Sequence, residues 1–122
     1  MYALIIYLDV ETNGIGTFRP PTQKIIQLSW IVQNKEYDFY INDVEEISPS
    51  VPHKITVEYC KEYGCSWENA YARFHHCLKF CEAIVCHNAD FDVSSIAHEL
   101  KRRKSMFYPE FKKIVIQLVE QK

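Results

Sequence analysis

Asp9 and Glu11 interrupt the apolar run that opens the chain, in the stretch Tyr7-Leu8-Asp9-Val10-Glu11-Thr12-Asn13-Gly14. The residues before them, Tyr2 to Leu8, are rich in aromatic and branched side chains and predict a buried central strand. Alternate residues of a strand share a face, so Asp9 and Glu11 project side by side. Like charges held that close at the edge of an apolar core are costly unless a cation lies between them. Hard carboxylate oxygens select Mg2+ or Mn2+, and a pair of such ions fits the pattern. The competing reading is a strand end entering a polar loop, with both carboxylates solvated.

A second group of the same character is His87-Asn88-Ala89-Asp90-Phe91-Asp92, where a short apolar strand (Ala83 to Cys86) meets a helix (Asp90 to Lys104). Acidic residues in a first helical turn are favoured by the dipole, so simple capping competes with metal binding here, with Phe91 in the core. The elements that must bring the two groups together follow in order. After Gly14, Pro20-Pro21 marks a loop. Lys24 to Gln33 is a second strand, apolar on both faces in places, and Lys35 to Asn42 alternates as a third. A proline-punctuated connection, Ser48 to Pro52, leads to a short helix capped by Thr56 and stopped by Gly64. Ser66 caps the next helix, Trp67 to about Cys81.

With 122 residues, 48% hydrophobic and 25% charged, the chain has the length and balance of one globular domain, 1–122. The apolar N-terminal run is short and lacks a basic leader, which argues against a signal peptide or membrane span. The five cysteines form no compact disulfide pattern, so an intracellular home is expected. A net charge of −2 gives no global attraction to nucleic acid, and such binding must rest on local patches.

Taken together, D-x-E on a first strand and H-N-x-x-F-D opening a later helix resemble the DEDD exonuclease superfamily. More narrowly, they are similar to DnaQ-like 3′→5′ exonucleases of the DNA polymerase III epsilon type. Between the motifs, Val51-Pro52-His53-Lys54-Ile55-Thr56 resembles the family's H-G-I-T stretch, with Lys54 in place of glycine, and the resemblance spans residues from about 3 to 104. It implies a ribonuclease-H-like α/β fold, a mixed sheet with three antiparallel strands first, flanked by helices. It also implies two-metal hydrolysis of 3′-terminal phosphodiesters. Asp9 would bridge both ions, Glu11 would hold the nucleophile-side ion and Asp92 the other. The region of Thr12 and Asn13 would contact the terminal 3′-hydroxyl, Ile55 would wedge against the last base, and His87, Asn88 and Phe91 would shape the floor under it. The implied partner is a single-stranded DNA or RNA 3′ end, bound without sequence preference.

The pattern departs from the family after Asp92. A later H-x-A-x-x-D motif should supply a general-base histidine and a fourth carboxylate, yet no aspartate follows Asp92 and the one later histidine is His98. The expectation is therefore a fold whose C-terminal part is missing, with three accounts open. Glu99, Glu110 or Glu120 substitutes for the lost ligand; the chain is an inactive module that binds nucleic-acid ends or a protein; or a second chain, in a homo-oligomer or a partner protein, supplies the motif. Cys60, Cys65, Cys77 and Cys81 could form a zinc site, but core packing explains them better. His75-His76 reads as a helix surface pair, and Lys101 to Lys104 as a solvated helix end that could also guide a phosphate backbone.

Overall fold

A computed structural model describes residues 4–17 and 20–120. Three antiparallel strands come first: β1 (Ile5–Thr12), β2 (Ile25–Val32) and β3 (Lys35–Tyr40). Helices α1 (Val57–Tyr63) and α2 (Trp67–Leu78) lead to β4 (Ala83–Cys86), which is followed by α3 (Ala89–Arg102) and α4 (Tyr108–Glu120). The sheet order is β3-β2-β1-β4, with β4 parallel to β1. This is the mixed sheet expected from the sequence, and β1 is a central strand.

Strand parity decides what each face of the sheet does. Ile6, Leu8 and Val10 of β1 are buried, as are Leu28 and Trp30 of β2, and all of these lie under α2 and α3. Trp30 stacks on Tyr37 at 4.9 Å and meets Phe74 of α2 edge-on at 5.2 Å. On the other face Tyr7 is 52% exposed, so the strand expected to be buried is central but buried on one face only. Two consecutive isoleucines, Ile25 and Ile26, are both buried because the β1–β2 register slips there: Glu11 pairs with Gln27 but Thr12 with Ile25. The extra residue is Ile26 on β2; Thr12 stays in step with Ile6, Leu8 and Val10 on the buried side, and Asn13 beyond it is buried too.

The helix boundaries follow their capping chemistry. Thr56 and Ser66 accept from the backbone N–H of Tyr59 and Asn69, as their types predict. Gly64 ends α1 in an extended conformation, and its requirement is space: a side chain there would run into the carbonyls of Cys60 and Tyr40. Gly14 is held at φ +71° against Val51, where a Cβ would collide. Cys60 is fully buried, and Cys65, Cys77 and Cys81 pack on the core as small apolar groups.

One buried charge ties the helical layer to the sheet. Glu99 of α3 is fully buried, yet it accepts from the Ile25 backbone N–H at 2.8 Å and from Arg102 and Arg103, each at 2.7 Å. Arg103 also reaches Asp43 at 2.9 and 3.0 Å and lies over the Trp67 ring. Removing the carboxylate orphans a strand N–H and takes from the largely buried Arg103 the inner of its two carboxylate partners. Glu99→Ala should therefore cost about 3–5 kcal/mol, read as a lower midpoint in urea unfolding at unchanged slope.

Candidate active site

Asp9 and Glu11 face the same side of β1, opposite to Leu8 and Val10, because the apolar alternation has already used the other side. Asp9 is exposed and Glu11 is half-buried. The Ser29 hydroxyl donates to the Asp9 backbone oxygen at 3.2 Å, which fixes the strand beneath the pair. Asp92 arrives from the first turn of α3 and is only 4% exposed. Burial pushes its carboxyl up to about 6, and the charges of Asp9 and then Glu11 add to the shift. His87 and a hydrogen bond from Cys86 oppose it. Glu11 is raised too, by burial first and by Asp9 second, with His53 pulling the other way. The three carboxylates thus share one electrostatic neighbourhood, and among the described residues no lysine or arginine pairs with any of them.

His53 is the functional neighbour that the sequence reading passed over. Its Nδ1 accepts from the Ile55 N–H at 3.2 Å, so Nε2 carries the proton and donates to the Thr12 carbonyl at 2.8 Å. The ring clamps the chain just after Glu11, and its position in the stretch resembling H-G-I-T was the available signal. The other expected residues divide by occupation. Asn88 spends its side chain as the α3 N-cap, accepting from Phe91 N–H at 3.2 Å, so the capping role belongs to it and not to Asp90 or Asp92. Asn13 accepts from Ile15 and Lys24 N–H groups, and Thr12 donates to Gln23 at 2.6 Å, which makes both of them scaffolding for the loop. Ile55 and Phe91 are half-buried against the core, and His87 is exposed beside the acidic group.

Neither described substitute for the fourth ligand is available. Glu99 is spent on Ile25, Arg102 and Arg103, seven residues along α3 from Asp92. Glu110 pairs with His75 at 3.2 Å, which also makes His75 a buried partner and not a surface residue. The side chain of Glu120 lies outside the described residues. A cleft of about 290 Å3 between β4, α3 and α4 is lined by Asp90, Val93 and Leu118 and contains none of the three carboxylates.

An acidic pair on the central strand and a third carboxylate at the start of the helix after β4 occupy a sheet of distinctive order. Solved structures with this architecture include E. coli Exonuclease I in complex with a 5cy-dA13 oligonucleotide, similar over 88% of this chain at a TM-score of 0.72 and 18% identity. The fold is that of a ribonuclease-H-like exonuclease. The chain spans 26% of the length of that protein. No family profile and no curated protein matches the sequence. Among the described residues no helix is long and apolar enough to cross a membrane.

The donor chemistry suits a hard divalent cation: three carboxylates, mutually repelling, with no lysine or arginine paired to them among the described residues. Among the described residues these groups do not close into a finished ligand set, so binding would draw them together. The cost of holding Asp92 buried beside the other two is measurable. Because the folded Asp92 carboxyl titrates near 6 and an unfolded aspartate near 3.9, the native protein holds a proton that the unfolded chain releases. Stability should therefore fall as pH rises through that window and be lowest above it. Asp92→Asn should raise stability at about pH 7 by something on the order of 2 kcal/mol and remove most of the wild-type gain seen on acidification to about pH 5.

Proposed function

We propose that this chain is a metal-dependent 3′→5′ exonuclease homologue of the DEDD, polymerase III epsilon type. As one domain, 1–122, it would act on the 3′-terminal phosphodiester of single-stranded DNA or RNA. The observation that carries the reading is the convergence of Asp9, Glu11 and Asp92 within a fold shared with a nuclease solved on an oligonucleotide. Asp9, Glu11 and Asp92 would hold Mg2+ or Mn2+, which supplies an activated water and stabilises charge on the leaving oxygen.

The chain's own residues then divide the remaining work. Asp92, nearly buried, fixes the helix side of the site, while exposed Asp9 stays open to solvent and substrate. His53 holds the backbone carbonyl of Thr12, and so the entrance beside Glu11, in one position. Both of its ring nitrogens are committed, so it is a poor proton acceptor. His75 is bound to Tyr71 and Glu110, His76 lies against Phe80, and His98 is ~9 Å further along α3 than Asp92. His87 is exposed and stands one residue beyond the Leu8–Cys86 pair, level with Asp9. It is the histidine best placed to take a proton from an attacking water. Half-buried Ile55 and Phe91 offer apolar surface for a terminal base, and such contacts read no sequence.

The unfinished ligand set favours a second reading, a module that holds 3′ ends without cutting them. A 5′-labelled single-stranded oligonucleotide with Mn2+ separates the two. The enzyme reading expects a ladder shortening from the 3′ end, reduced by at least about 100-fold in Asp9→Ala. Retention of the labelled strand without shortening, at protein equal to substrate, supports the binding module. Neither shortening nor retention defeats both readings. Parallel deoxy- and ribo-oligonucleotides assign the substrate class.

A further inference from the structure

Among the described residues nothing covers the lower half of the sheet face that carries Asp9 and Glu11. The strand register lines up Val85, Tyr7 and Ile31 as an apolar row across three strands, 46%, 52% and 40% exposed, with Glu36 continuing the row on β3. Directly above it lies the row Asp9–Ser29–Asp38. A shallow groove of about 370 Å3 runs along these two rows. Every charged strand residue on this face is acidic: Asp9, Glu11, Glu36 and Asp38. Helices α2 and α3 pack on the other side of the sheet, over Leu8, Leu28 and Trp30. Exposed apolar residues grouped in one strip and rimmed by a single sign of charge mark an interaction surface.

Its complement is present on the same chain. The outer side of α4 carries Ile116, 53% exposed, with Lys112 and Lys113 one turn before it. Residues three and four apart stand together on a helix, so both lysines neighbour the isoleucine, with the Lys112 ammonium turned over the Tyr108 ring at 5.4 Å. Three arginines are engaged elsewhere: Arg102 with Glu99, Arg103 with Glu99 and Asp43, and Arg73 over Tyr37 and Phe39 on the core side.

We propose that the open sheet face docks the outer face of α4 from a second copy of this chain. Ile116 would lie on the Val85–Tyr7–Ile31 strip, with Lys112 and Lys113 reaching Glu36 and Asp38. The sheet face and α4 are different patches of the chain, so the contact joins unlike surfaces. It depends on surface charge and therefore weakens with salt. The groove includes Asp9, so a docked copy would cover one side of the acidic group on which the nuclease reading rests.

Sedimentation of the full chain over a range of concentrations at low salt tests it. The weight-average mass of the wild type should rise with concentration and return to the monomer when salt is added. Lys112→Glu with Lys113→Glu, and separately Glu36→Lys with Asp38→Lys, should each remain monomeric, and mixing the two variants should restore association. Ile116→Asp alone should give the same loss, which covers a double variant that fails to fold. A wild type that stays monomeric throughout overturns the proposal, as does association unchanged by these substitutions or not restored by mixing.

Discussion

Burial of Ile6, Leu8 and Val10 under α2 and α3 is the constraint on which the rest of the molecule depends. Those side chains occupy one face of β1 completely, and the two-residue period of a strand leaves Asp9 and Glu11 nowhere to go but the opposite face. A slip of one residue would put both carboxylates into the apolar core, so the hydrophobic packing sets the register and the register sets the site. The bulge at Thr12 then ends the strand's regularity at the point where a substrate would need access.

The acidic group is held by structure that has no chemical role of its own. His53 fastens the Thr12 carbonyl, Asn13 gathers two backbone N–H groups, and Asn88 starts the helix that delivers Asp92. At its far end that helix is fastened to β2 through Glu99. Asp92 is consequently rigid and nearly dry, which explains its raised proton affinity beside two further carboxylates. This is an energetic cost that folding alone does not recover, and costs of that kind concentrate where a ligand will later relieve them.

Much of this was legible in the residues. The alternation of β1, the caps at Thr56 and Ser66, and the short apolar β4 are local signals, and each produced the element expected. Lys24 and Gln33 fell just outside β2, and α2 stopped at Leu78 instead of Cys81, because fraying ends follow hydrogen bonding more than composition. The exposed face of β1 was not legible, since an apolar residue such as Tyr7 carries no mark of what will cover it. Glu99 was one of three candidates for the missing ligand. Only tertiary structure shows that the Ile25 N–H and two arginines claim it. His53 was visible in sequence, but its clamp on Thr12, forty-one residues away, was not.

Direct titration of Mn2+ into the wild-type chain and into Asp92→Asn tests the central claim, that Asp9, Glu11 and Asp92 form a single divalent-cation site. The account predicts saturable binding that weakens as pH drops through about 6, where Asp92 takes up its proton, and that is lost in the variant. Binding of equal strength in both proteins, or binding indifferent to that pH window, would contradict it.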